Sequence, residues 1–161
     1  MDKLKLLRLM ERDSTLSVGQ LAAMTDSTEE EVAVAIAAWE ADKVILGRRA
    51  VIDWDRTEEE LVTALIEVNV TPHIGEGYDR LAERLYQYEE VESVYLMSGS
   101  FDFTVILSGR TLKEVALFVG ERLAPLKGVT KTSTHFILKK YKEKYLVFNK
   151  QAQQEAGFIF V

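Results

Sequence analysis

Ser27, Thr28, Lys43, Arg48 and Arg49 have the types and spacing to engage a polyanion. Hydroxyls at a helix start and cations just past its end can meet DNA phosphates, which position a protein without reading sequence. Lys3, Lys5 and Arg8 add a second basic stretch. Between these groups lies the segment Thr28 to Asp42, which should read base edges in a helix-turn-helix. It contains Glu29, Glu30, Glu31, Glu40 and Asp42 and no Lys or Arg. Phosphate neutralisation by cations normally supplies much of a DNA-binding protein's affinity. If Val32, Ile36 and Trp39 turn to a core, a rotation of about 100° per residue puts Glu30, Val34, Ala37, Ala38 and Ala41 outward. Arg and Lys read guanine and Asn and Gln read adenine, and none of the four stands on that face.

Two readings follow. In one, DNA is held by the helix start and the flanking cations, and oligomerisation raises a low affinity per module through effective concentration. In the other, the small apolar face packs against a protein partner and DNA is bound weakly or not at all.

Other chemistry is sparse, and the sequence is expected to belong to no enzyme. His73 and His135 are far apart and have no His or Cys companions at metal-ligand spacing. The chain has no Cys, so neither thiolate chemistry nor a disulfide framework is available. No glycine-rich phosphate loop follows a strand. Glu58-Glu59-Glu60 and Glu89-Glu90 read as solvated helix ends. No catalytic residue, metal site or cofactor is predicted. The stretch Lys139-Lys140-Tyr141-Lys142-Glu143-Lys144-Tyr145 interleaves charge with aromatics. Single-strand nucleic-acid surfaces do this, and so do exposed strand edges guarded by lysines.

These residues need elements to hold them. A chain of 161 residues with 47 % apolar and 29 % charged content suits one globular domain or two small ones. No apolar run reaches the roughly 18 residues of a membrane span, and the N-terminus lacks a signal-peptide layout. The expected location is the cytoplasm. Residues 1–60 hold eight Lys/Arg against fourteen Asp/Glu and the rest twelve against twelve, so the whole net charge of −6 lies in the N-terminal part. That field opposes non-specific attraction to DNA.

Residues 1–52 read as a winged helix-turn-helix. Leu4, Leu7 and Met10 are expected to share one face of the first helix. Ser17 with Gln20 and Thr28 with Glu31 form capping boxes, the first ahead of Leu21, Ala22 and Met24. The spacer Thr25-Asp26-Ser27 has helix-turn-helix length. Val44-Ile45-Leu46 and Val51-Ile52 are expected to pair as the wing around Gly47-Arg48-Arg49. Residues 53–60 form an acidic linker.

From residue 61 to 150 the pattern is strand, helix, strand, strand, helix, strand, the order of a ferredoxin-like βαββαβ sandwich. Val62, Ala64, Ile66, Val68 and Val70 alternate as in a strand. Tyr78–Glu90 reads as a helix with Leu81, Leu85 and Tyr88 inward. Strands are expected at Val91–Met97, Phe103–Leu107 and Val129–Lys139, and a helix carrying Leu112, Val115, Val119 and Leu123 is capped by Thr111. Tyr141–Phe148 could add a strand. The fold class is α+β. Residues 151–161 form a tail whose apolar end, Gly157 to Val161, is expected to dock on the sandwich or on a neighbouring subunit.

Two motifs sharpen this. Val94–Asp102 (VYLMSGSFD) resembles the glycine-x-aromatic-aspartate loop of the Lrp/AsnC (feast/famine) transcription regulators. Lys127-Gly128-Val129 followed by Thr132-Ser133-Thr134 resembles that family's GV-x-x-T-x-T signature. The resemblance covers residues 2 to 148. It implies a DNA-binding regulator that pairs through its sheets into dimers, assembles to tetramers or octamers, and responds to an amino acid or related metabolite. It also implies an effector site at Gly99, Ser100, Phe101, Asp102, Thr132 and Thr134. Gly99 permits close backbone approach or a positive φ, and Asp102 suits a ligand ammonium. The residues by themselves favour a plain hairpin turn capped by Asp102, and the resemblance brings the effector reading level with it. The stretch from Ala35 to Trp39 departs from the family, whose members carry several Arg along this helix.

Overall fold

The computed structural model describes residues 1–71, 77–109 and 111–148. Pro72, His73 and Gly75, and the tail from Gly157 to Val161, lie outside the described residues. The chain divides into two compact units. One holds Met1–Ile52 and the segment starting at Lys142, and the other is Asp53–Tyr141.

In the first unit, helices α1 (Lys3–Arg12), α2 (Val18–Thr25) and α3 (Glu29–Ala41) enclose Leu6, Leu21, Ala22, Val32 and Ala35. Ile36 and Trp39 pack against that core, as the periodicity predicts, and Ala35 joins it. Both capping boxes form. The Ser17 hydroxyl accepts from Gln20 N–H and the Thr28 hydroxyl from Glu31 N–H, each at 3.2 Å. The backbone N–H of Thr28 donates in return to the Glu31 carboxylate, and this bond, with a lesser one from the Thr28 hydroxyl, holds that carboxyl below the usual range. The α2–α3 turn closes through Asp26 in the left-handed region (φ 51°), and Thr25 is buried with its hydroxyl on the Leu21 carbonyl at 2.7 Å.

Three expectations fail here. Leu4 is 59 % exposed, and Leu6, with Leu9 and Met10, takes the inward face of α1. Met24 is exposed on α2. Residues 44–52 form no strand pair. Val44, Leu46, Val51 and Ile52 are all exposed, and an isolated two-stranded ribbon with nothing to cover it is marginal in water.

The second unit is built on β1 (Val62–Val70), β2 (Val91–Leu96), β3 (Phe103–Gly109) and β4 (Val129–Phe136), antiparallel in the order β2-β3-β1-β4. Helices α4 (Tyr78–Leu85) and α5 (Leu112–Phe118), the latter continued by a π-helical turn to Leu123, carry the rest of the core. Ala64, Ile66 and Val68 of β1 oppose Leu107, Val105 and Phe103 of β3, and Leu81, Leu85, Val115, Phe118, Val119 and Leu123 join them in one cluster. The period-2 alternation of β1 therefore marks the helix-covered face. The opposite face mixes polar groups with Leu65, Ile106 and Tyr95: Thr63 meets Ser108 at 3.3 Å, and His135 Nε2 lies 3.4 Å from Glu67. Helix α4 stops at Leu85 rather than Glu90, and Tyr88 packs on the core from beyond its end. Lys142–Glu143 (β5) and Leu146–Val147 (β6) pair with each other as a separate hairpin instead of widening the sheet.

Candidate functional site

The segment joining β2 to β3 is tied down by the end of β1. Gly99 has φ 145°, a conformation that disfavours a side chain. The register of β1 with β4 slips between Asn69 and Val70, as at a β-bulge, where ladder bonding is locally disrupted. The loop supplies partners there. Asp102 Oδ2 accepts the Val70 N–H at 2.8 Å, and the Asp102 N–H donates to the Val68 carbonyl at 3.0 Å. The Asn69 carboxamide donates to the Ser100 carbonyl at 2.9 Å, and the Met97 N–H to the Asp102 carbonyl at 2.8 Å.

The second Asp102 oxygen, Oδ1, accepts from the Tyr78 hydroxyl at 3.3 Å. Tyr78 stands in the first turn of α4, its ring edge-on to Phe103 with centroids 5.8 Å apart. The Asp102 side chain thus ties its loop to β1 and to α4 rather than capping the turn itself. A carboxylate keeps about four lone-pair positions, so accepting two donors leaves capacity for a ligand cation. Gly99 and Ser100 are exposed and Phe101 half-buried.

The negative charge of Asp102, with burial and the hydrogen bond as lesser causes, raises the Tyr78 pKa. A hydroxyl whose folded pKa is raised stabilises the fold fully below its unfolded pKa and loses that contribution as pH rises through the folded one. An alkaline absorbance titration should therefore show one of the six tyrosines ionising late, and Asp102→Asn should return it to the ordinary range. An unaltered titration would remove the Asp102–Tyr78 contact from the site.

Thr132 and Thr134 lie opposite Val68 and Ile66 on β4, half-buried and on the helix-covered side of the sheet. Strand β1 separates them from the Gly99–Asp102 loop, and Thr132 is the closer in register to the loop's anchor at Val68. Asn69 and Tyr78 are partners of the candidate loop that spacing alone missed. The only local hint was a Tyr one residue after Gly77 at a helix start.

The candidate DNA face is more constrained than its sequence suggests. The Ser27 hydroxyl donates to the Thr25 carbonyl at 3.0 Å, and that of Thr28 is engaged in its capping box. Lys43 follows α3 with φ 58°. Arg48 turns back to Glu40 at 2.7 Å, and Arg49 is exposed. Along α3, Glu30, Val34, Ala37, Ala38 and Ala41 are all exposed, Val34 at 65 %.

Among the described residues no group of His, Asp or Glu could hold a metal ion, and no helix is long and apolar enough to cross a membrane.

Against known proteins, the family model described as the Lrp/AsnC ligand binding domain matches residues 63–147. An "uncharacterized HTH-type transcriptional regulator YugG" of Bacillus subtilis is 43 % identical over 145 residues, spanning 89 % of this chain and 87 % of that protein. An AsnC family transcriptional regulator from Agrobacterium tumefaciens has a TM-score of 0.70 at 26 % identity, covering 89 % of this chain and 94 % of that one. A Neisseria meningitidis transcriptional regulator solved as an L-Met complex shares the fold, with a TM-score of 0.70 at 18 % identity over 88 % of this chain and 90 % of that one.

Proposed function

Because the chain belongs to the Lrp/AsnC family of transcriptional regulators, we propose that it is an oligomeric, cytoplasmic, DNA-binding regulator modulated by an amino acid or related metabolite. The observation that carries the effector half is the Gly99–Asp102 loop, pinned to the β1 bulge with a carboxylate in reach of solvent. Gly99, Ser100, Phe101 and Asp102 hold the effector, with Thr132 and Thr134 supplying hydroxyls from β4. The L-Met complex of the Neisseria relative supports an amino-acid effector. Ser27, Thr28, Lys43, Arg48 and Arg49 are the DNA contacts of the helical unit. A homodimer, building to tetramers or octamers, is the working assembly. The effector acts by binding one assembly better than another, since only a differential affinity moves an equilibrium.

The cation-free face of α3, with Arg48 drawn to Glu40, favours a second reading: an effector-binding oligomer that works through protein partners. One experiment addresses both. The twenty common amino acids are screened by thermal shift, and any hit is added to a titration of the chain's own upstream duplex. The expected result is a stabilising amino acid that also changes the duplex midpoint. Stabilisation without any duplex binding at low salt leaves the second reading, and no stabilisation by any amino acid removes that effector class.

A further inference from the structure

We propose that the β5–β6 hairpin is the phosphate-contacting wing of the DNA-binding unit, and that its ligand is the backbone of duplex DNA. The proposal rests on the DNA-binding reading above and adds a site to it.

Four observations converge. The first concerns placement. Residues 44–52 form no hairpin, whereas Lys142↔Val147 and Glu143↔Leu146 do pair, and the segment starting at Lys142 groups with the three helices of the first unit. The second is charge. The hairpin carries Lys142 and Lys144 against the single Glu143, while α3 has no Lys or Arg and Arg48 is engaged by Glu40. The hairpin therefore gives the unit two cations that its recognition helix lacks.

The third observation is backbone geometry. Lys144 and Tyr145 form the two-residue turn with φ 46° and 72°. Positive φ at both positions is the primed-turn geometry that normally selects Asn-Gly. Bulky residues held in the left-handed region are strained, and such strain concentrates at functional positions. Here it puts a lysine and a tyrosine at the tip of a tight ribbon. The fourth is exposure. Lys142, Lys144 and Tyr145 are all exposed.

Phosphate contact carries no sequence information, so a labelled duplex of arbitrary sequence is the proper probe. The full chain is titrated with it across a salt series, alongside Lys142→Gln/Lys144→Gln, the same two positions changed to Arg, and Arg49→Gln. Each lost phosphate contact lowers the log–log salt slope by about 0.9, so the double Gln variant should lose about 1.8. The double Arg variant should keep the slope. Single Lys144→Gln, expected to lose about 0.9, serves if the double variant melts early. A double Gln slope equal to wild type, with Arg49→Gln lowering it, overturns the hairpin and leaves the DNA-binding reading standing. Failure of the wild-type chain to bind the duplex at low salt overturns both.

Discussion

Replacing Asp102 by Ala is expected to lower stability by about 2–3 kcal/mol, because a charged hydrogen bond to Val70 disappears and its N–H is left without a partner. The Val70 N–H sits where β1 and β4 lose register, and Asp102 Oδ2 is the acceptor that takes it at 2.8 Å. The same change frees the Tyr78 hydroxyl at the start of α4. In a chain of this size 1 kcal/mol moves the melting temperature by roughly 2–4 °C, so differential scanning calorimetry reads the loss directly. Retention of the wild-type melting temperature would show that another group holds the bulge.

Ala alone cannot separate a structural tie from a ligand contact, since both roles vanish together. Asp102→Asn separates them. An Asn oxygen still accepts the Val70 N–H, so stability should fall by only about 1 kcal/mol, the usual margin between charged and neutral acceptors. A ligand ammonium, however, would face a neutral amide, and charge-assisted bonds are roughly twice as strong as neutral ones. Effector affinity should then drop about tenfold or more, each 1.4 kcal/mol being a factor of ten. Isothermal titration of the stabilising amino acid measures this. Near-wild-type affinity in a well-folded Asp102→Asn chain would leave Asp102 a structural tie and move ligand recognition to the remaining loop and β4 residues.

What the sequence made legible was the local chemistry. Ser17 with Gln20 and Thr28 with Glu31 announce their helices because a capping box closes within one turn. The alternation from Val62 to Val70 announces β1 because half of its side chains meet helices. In α1 the run Leu4, Leu6, Leu7 and Leu9 offers two apolar stripes, and tertiary packing chose Leu6 and Leu9 over Leu4. The wing failed because β-propensity reports fit to a half-buried surface, and residues 44–52 have none to fit. Most of the site was hidden for a different reason. Asp102 meets Val70 and Tyr78 from 32 and 24 residues away, a proximity that the sheet creates and no spacing rule encodes. Gly99 and Asp102 stood out by type, whereas Asn69 and Tyr78 became partners of the candidate loop only through the bulge and the first turn of α4.

Putting cations on α3 should strengthen DNA binding wherever that helix enters the groove. Glu30 and Val34 are exposed on the N-terminal half of the helix, the part of a recognition helix that meets base edges. In Glu30→Arg/Val34→Arg a repulsive carboxylate is removed and two forked donors are added without touching Val32, Ala35 or Ile36, which face the core. The costs are small. An acid lost from the first turn weakens the macrodipole interaction by about 0.3–1 kcal/mol, and Arg is a better helix former than the β-branched Val it replaces. Two new phosphate-range cations should steepen the salt slope by about 1.8. If either Arg reaches a guanine, a bidentate pair adds roughly 1–3 kcal/mol of base discrimination, so affinity for the best duplex should rise tenfold or more. Fluorescence anisotropy on the full chain measures slope and midpoint together. A double-Arg chain that melts like wild type yet shows the wild-type slope would mean that α3 never enters the groove. Its bare Val34, Ala37, Ala38 and Ala41 surface would then belong to a protein contact.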